Sequence, residues 1–188
     1  MPTYRLYQAV AFKLRGLLMV PLVAFLIFWH YAEWEFEVGN WGLGLLVFGL
    51  GVFVRIVAQR HLKYRLRDQR ALASTGPYAW MRNPVYIGNM LIIAGLCLLC
   101  ELPWMIPPAC LWAWFVYDTA IRYEEYRLSR RFGDEYDAYR RSVPRWLPNR
   151  APRVAVAGSQ IAGWARAAGV EWQCFVLLLI PTIKEMLF

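Results

Sequence analysis

The sequence predicts an all-α, polytopic integral membrane bundle of four or five spans. Two of the spans are joined as a tight helical hairpin, and further helices follow on the cytoplasmic side. Three observations lead there. Hydrophobic residues make up 59% of the 188-residue chain and charged residues 18%, against roughly 45–50% and ~25% for an ordinary soluble domain. Four long apolar stretches occur, at 16–32, 41–54, 84–100 and 103–117. The charges between them alternate in sign along the chain. Residues 1–15 hold three Lys/Arg and no acid, 33–40 hold Glu33, Glu35 and Glu37 and no base, and 55–82 hold seven Lys/Arg against Asp68 alone. The turn after 100 holds only Glu101, and 118–170 hold ten Arg against six acids.

Cationic loops stay on the cytoplasmic side of a membrane. The N-terminus, the 55–82 loop and the 118–170 region are therefore expected to be cytoplasmic, with the acidic turns facing outward. In a bacterium the location would be the inner or plasma membrane. The net charge of +8 then reflects topology and contact with anionic headgroups, through residues such as Lys63, Arg65 and Arg67. A disordered chain is excluded, because it would be poor in apolar residues. A nucleic-acid module would be as basic, but would not carry this much apolar surface.

The elements follow in order. A span needs about 20 helical residues, so each apolar stretch reaches that length only with its flanks, and short or tilted helices are expected. The first stretch reads as a retained span, since no cleavable signal pattern precedes it. The second continues past Arg55, which either snorkels to the inner surface or lines a polar cavity. Its glycine pairs, Gly42/Gly44 and Gly49/Gly51, suit close helix packing. Only Glu101 and Leu102 separate the third and fourth stretches, which forces the hairpin. The fourth continues as a wet helix to Gly133, a suitable C-terminal cap. Asp134 and Glu135 open a short second helix, with Tyr136, Tyr139 and Val143 on one face, and Pro144 ends it. Trp146 reads as an interfacial anchor. The tail from Glu171 is either a fifth crossing or an interfacial helix. We divide the chain into residues 1–150, the membrane domain, and 151–188, a C-terminal extension.

Cys97 and Cys100 have C-x-x-C spacing but lie in an apolar run, so they read as packing thiols. His30 and His61 have no clustered ligands, and no metal site is expected.

Two cytoplasmic clusters combine unusual residues. The first, within 70–88, holds Gly76, Tyr78, Arg82, Asn83, Pro84, Tyr86 and Gly88. The second, within 120–148, holds Glu124, Glu125, Phe132, Gly133, Glu135, Tyr136, Tyr139, Val143, Pro144 and Pro148. Order, spacing and the intervening hairpin resemble the signature of the isoprenylcysteine carboxyl methyltransferases and the related membrane phospholipid methyltransferases. The resemblance covers roughly residues 70–148.

That resemblance implies an S-adenosylmethionine (SAM)-dependent methyltransferase that releases S-adenosylhomocysteine (SAH). The acceptor would be a lipid, prenylated or otherwise amphiphilic molecule in the bilayer, resembling an isoprenylcysteine carboxylate or a phospholipid amine. No nucleic-acid partner is implied. The cofactor contacts fall on Arg70, Ala71, Leu72, Ala73, Tyr78, Asn83, Pro84, Val85, Tyr86 and Glu124. Arg82, Arg122 and Glu125 are the candidate catalytic residues. Asn83 stands where several members have His, and Ala120 stands where the eukaryotic carboxyl methyltransferases place a substrate-contacting Arg.

The chemistry is consistent with this. In-line methyl transfer needs positioning and exclusion of water rather than a covalent nucleophile. Tyr78, Trp80 and Tyr86 offer aromatic faces to a sulfonium, and Glu124 a partner for an amino group. Arg70, Arg82 or the helix N-terminus at Pro84 could meet a carboxylate, and Glu125 could accept a proton. Read without the motif, Glu124 and Glu125 would pair with Arg122, Arg127 or Ser129 on a solvated helix. Two other functions remain open at this point. One is an NADPH-dependent membrane reductase of the sterol type, which resembles this family in part. The other is a non-enzymatic scaffold.

Overall fold

The computed structural model describes residues 10, 12–31, 33, 37–62, 72–147 and 163–187. Among these, every regular element is helical. A single 3-10 turn at Leu17–Met19 leads into α1 (Val20–Phe28), with Pro21 in the first turn, where a missing amide costs nothing. The chain leaves the helix at Trp29, which is extended. Leu22 and Leu26 face the core.

Helix α2 (Glu37–His61) is the long element, and it packs against α4 (Pro84–Leu99) at very short range. A methyl group on Gly51 would lie 2.7 Å from the Gly88 carbonyl oxygen and 2.8 Å from the Ile92 amide nitrogen. One on Gly95 would lie 2.6 Å from the Phe48 nitrogen. Only glycine permits this backbone contact. The close packing expected of the two glycine pairs thus holds for one member of each. Gly44 and Gly51 face α4, whereas Gly42 and Gly49 have no neighbour within 4 Å of an added methyl group.

Between these helices the one-turn α3 (Pro77–Trp80) follows Gly76. The expected hairpin is present. Helix α4 ends in a two-bond cap in which the Leu102 amide donates to the Cys97 carbonyl and the Glu101 amide to the Leu98 carbonyl. Glu101 takes the left-handed position, φ 59°, usually given to glycine. A 3-10 turn at Pro103–Met105 opens the return helix, α5 (Ile106–Phe132), which is apolar in its first half and charged in its second. Gly133, at φ 51°, breaks it, and α6 (Asp134–Ser142) follows. As the spacing predicts, Tyr136, Tyr139 and Val143 share one buried face, packed on Leu72.

The tail forms α7 (Trp164–Val170), α8 (Trp172–Val176) and α9 (Leu179–Leu187). It starts against the end of α2, where the Arg60 guanidinium lies 3.8 Å over the Trp164 ring. It finishes at the hairpin turn, where Lys184 Nζ lies 2.6 Å from Glu33 and donates to the Cys100 carbonyl at 2.6 Å.

Among the described residues one helix, Gly39–His61, is by itself long and apolar enough to cross a membrane, and the bent pair of segments from Trp164 to Leu187 raises the count to two. The helices Leu17–Phe28 and Pro84–Leu99 are apolar but shorter. Among the described residues, four or five full-length spans are therefore not seen as single helices. Helix α1 stops at Trp29, and α4 is cut by the hairpin cap after 16 residues. Large apolar side chains are exposed on several helices, among them Leu46 and Phe53 on α2, Leu111 and Phe115 on α5, and Phe175 and Met186 on the tail.

Candidate active site

Three hydrogen bonds to backbone carbonyls join the two sequence clusters. The Arg82 amide donates to the Pro144 carbonyl at 2.9 Å, the Asn83 side-chain amide to the Arg145 carbonyl at 3.0 Å, and the Tyr139 hydroxyl to the Tyr78 carbonyl at 2.8 Å. Extended backbone makes this possible. Pro84 disfavours helix at Asn83, and Pro144 has no amide to continue α6, so two short non-helical segments lie side by side.

Beneath this seam lies a cavity of about 1060 Å³. Leu72, Ala73, Tyr78, Asn83, Val85, Tyr86 and Glu124 line it, as do Arg82 and Glu125. Nine of the thirteen residues singled out from sequence thus meet around one space. Of the others, Arg70 and Ala71 lie outside the described residues. Pro84 is buried beside the cavity but does not line it, and it sets the start of α4.

Arg122 lies apart from the cavity. Its side chain is 49% exposed and bonds Asp118 one turn back at 2.6 Å. It does not line the cavity. Its guanidinium is held one turn back by Asp118, a carboxylate only 13% exposed that also bonds Arg145. Arg122→Ala is accordingly expected to change stability by less than ~0.5 kcal/mol, measured as the thermal unfolding midpoint. Trp80, offered as an aromatic face, is also exposed and outside the cavity.

Glu125 is buried between two guanidinium groups. Arg82 Nη1 lies 3.0 Å from its Oε1, and Arg145 donates from Nε at 3.1 Å and from Nη2 at 2.6 Å. The carboxylate in turn pushes the Arg145 guanidinium above its ordinary pKa. Asp118 adds a further contact to Arg145 at 3.2 Å. With both oxygens engaged, Glu125 organises the seam and holds Arg82 against the cavity wall. Arg82 Nε is buried without a hydrogen-bond partner. In a side chain only 12% exposed, such a donor calls for a ligand to satisfy it.

Glu124 faces the cavity, a third exposed, with Arg15 at 3.4 Å. It also shares a hydrogen bond with the Tyr86 hydroxyl. Desolvation holds its carboxyl above the usual carboxylate range, and Arg15 only partly offsets this. Of the partners expected on a solvated helix, Arg122, Arg127 or Ser129, none makes this ion pair, which goes to a residue of the N-terminal segment, although the Arg127 charge also acts on Glu124. Burial likewise pushes the Tyr136 hydroxyl up to about 12.

Sequence reasoning missed Arg15 and Arg145, because spacing along a chain does not reveal which distant charges meet. It gave Arg55 as an alternative cavity residue, and Arg55 does line the cavity, with Gln59, Asn89 and Gln173. Among the described residues no group of three His, Cys, Asp or Glu is placed to hold a metal ion.

Comparison with known proteins completes the description. The profile of the phospholipid methyltransferase family matches residues 40–135. The chain is 29% identical to the nickel-cobalt-cadmium resistance protein NccN of Alcaligenes xylosoxydans xylosoxydans, over 69% of this chain and 61% of that protein. It is 32% identical to protein-S-isoprenylcysteine O-methyltransferase of Xenopus laevis, over 43% of this chain and 28% of that protein. It is 28% identical to protein-S-isoprenylcysteine O-methyltransferase B of Arabidopsis thaliana, over 69% of each. The chain thus spans less than two thirds of the first two of these relatives. No solved structure matches it.

Proposed function

The chain belongs to the phospholipid methyltransferase family, and from that premise we propose that it transfers a methyl group from SAM to a lipid-like acceptor within the cavity. The observation that carries this reading is the seam itself. It brings Tyr78, Asn83, Tyr86 and Glu124 around one space, with the unsatisfied Arg82 Nε beside it. Ligand pockets commonly run to about 300–1,000 Å³. A cavity of about 1060 Å³ has room for a cofactor and part of a second molecule.

The residues fit the cofactor's charges. Glu124, desolvated and facing the cavity, suits an amino group, and Arg82 suits a carboxylate. The faces of Tyr78 and Tyr86 suit a sulfonium cation. Leu72, Ala73 and Val85 would flank the apolar parts, with Arg70 and Ala71 added on the resemblance alone. When bound, SAM supplies an electrophilic methyl group. The chain supplies position and a dry wall, and Glu125 acts as a positioning residue through Arg82 and Arg145. Arg122 is left out of the proposed site.

The acceptor resembles either an isoprenylcysteine carboxylate or a phospholipid amine, and it enters from the bilayer. The exposed apolar side chains of α1, α2, α5 and the tail support a protein held in the membrane, with the N-terminus and the cavity cytoplasmic. The tail runs from the end of α2 to the Cys100 turn, the path of a crossing rather than of an interfacial helix.

Glu124 gives the test. A carboxyl held above its usual range must lose its proton before it can meet a cation. SAH affinity is therefore expected to fall as the pH drops through a window above that of an ordinary Glu. In Glu124→Gln the affinity is expected to be about tenfold or more weaker at neutral pH, and flat across that window. Isothermal titration of the detergent-solubilised protein with SAH reads both. Equal affinity in the variant would remove Glu124 from the site. A folded protein that gives no heat with SAH would overturn the reading.

A further inference from the structure

The cavity has a second polar pole, away from Glu124 and outside both sequence clusters. Arg55 and Gln59 are one turn apart on α2, hence on one face. Asn89 comes from α4. Glu171, fully buried, comes from the junction of α7 and α8. Its Oε2 lies 2.6 Å from both Arg55 Nε and Nη2 and accepts from the Cys174 thiol at 3.4 Å. Its Oε1 accepts from Gln59 Nε2 at 2.7 Å. Arg55 Nη1 donates to Asn89 Oδ1.

Charge and valence can be followed through this cluster. Glu171 neutralises Arg55, and the three guanidinium nitrogens are all engaged, so the pole offers no free cation to an anionic ligand. The orientation of the Gln59 amide is fixed, because only its NH₂ side can meet a carboxylate oxygen at 2.7 Å. Its oxygen is therefore turned away from Glu171. That oxygen has no hydrogen-bond partner, in a cavity-lining residue only 5% exposed. A buried acceptor of this kind calls for a partner, which a ligand N–H or O–H would supply, and polar groups within membrane helices are functional-site candidates by default.

We propose that Gln59 Oε1 is the docking point for the polar head of the acceptor, and that it selects heads carrying a hydrogen-bond donor. The C-terminal segment, which lies beyond the family match at 40–135, fixes this selectivity by holding the amide through Glu171. The proposal rests on the reading of the cavity as a methyl-transfer site, and it favours an amine-like acceptor over a carboxylate-like one.

The test uses the full chain in detergent and two amphiphiles with the same short tails, dihexanoylphosphatidylethanolamine and dihexanoylphosphatidylcholine. The first head has N–H donors and the second has none. Quenching of tryptophan fluorescence gives both affinities, and titration with SAH gives the cofactor affinity of the same samples. Wild type is expected to bind the ethanolamine head about tenfold more tightly. Gln59→Leu is expected to bind both heads alike, with SAH affinity unchanged. Should that variant fail to fold, Gln59→Asn withdraws the acceptor by one methylene and is expected to do the same. Two results overturn the proposal: no head preference in wild type, or a preference that survives in the variants, as one set by head size or by the Arg55–Glu171 pair would. Absence of SAH binding in wild type would instead contradict the methyl-transfer reading, and the head preference is still read without it.

Discussion

Glu125→Ala is expected to lower stability by about 3 kcal/mol, the largest effect of any substitution in the seam. Removing one partner of a buried pair leaves the other charge uncompensated, at a typical cost of ~3–5 kcal/mol. Here Arg82, 12% exposed, loses its carboxylate, while Arg145, 28% exposed, keeps Asp118 at 3.2 Å. The exposure of Arg145 places the expected cost at the lower end of that range, because solvent screens it. Methyl transfer should fail with it, since Arg82 and Arg145 carry the segments that the Pro144 and Asn83 bonds join. Thermal unfolding in detergent measures the first effect and transfer of labelled methyl from SAM the second. Glu125→Gln keeps the shape and should cost less. A loss under ~0.5 kcal/mol for Glu125→Ala would place the pair with ordinary surface ion pairs and take the seam's central role from Glu125.

Gly51→Ala is expected to cost about 2–3 kcal/mol, as an overpacking change within a close helix pair. The added methyl group would lie 2.7 Å from the Gly88 oxygen and 2.8 Å from the Ile92 nitrogen. These are backbone atoms, so the helices themselves must separate. Gly49→Ala, two residues away on the same helix, meets nothing within 4 Å. It is expected to be neutral or stabilising by up to ~1 kcal/mol, through helix propensity. The contrast in unfolding midpoint tests the α2–α4 contact without reference to any ligand. Similar values for the two variants would contradict it. The Gly51 change should also disturb the cavity, because Arg55, one turn on, and Asn89, next to Gly88, both line it.

How far the sequence reveals this protein differs from element to element. The hairpin is legible because only Glu101 and Leu102 separate two apolar runs, and a two-residue gap leaves no other path. The buried face of α6 is legible because Tyr136, Tyr139 and Val143 recur at helical spacing. The pairing of the two clusters is legible only through the motif resemblance, since no local rule brings Asn83 to Arg145. The number of membrane-crossing helices is not legible. Apolar runs of similar length end differently, one extended at Trp29 and one capped at Glu101, and composition does not encode the difference. The ion pairs are the least legible of all. Glu124 and Glu125 have basic neighbours within one turn, yet their partners are Arg15, Arg82 and Arg145, because an inward helical face meets distant chain rather than its own helix. Arg122 illustrates the converse, a motif-adjacent charge that pairs within its own helix, with Asp118.

The cavity as a whole joins residues from the N-terminal segment, both clusters and the tail. Most of its lining, Gln59 included, falls within the family match at 40–135, whereas Phe12, Arg15, Tyr136, Tyr139 and Gln173 lie outside it.

The most direct measurement is methyl transfer itself: purified protein in detergent, SAM labelled in its methyl group, and a total membrane lipid extract as acceptor. The account expects label in a lipid-soluble product with wild type, strongly reduced with Glu124→Gln and nearly unchanged with Arg122→Ala. A folded protein that transfers no label to any component of the extract, or one whose transfer is untouched by Glu124→Gln, would contradict it.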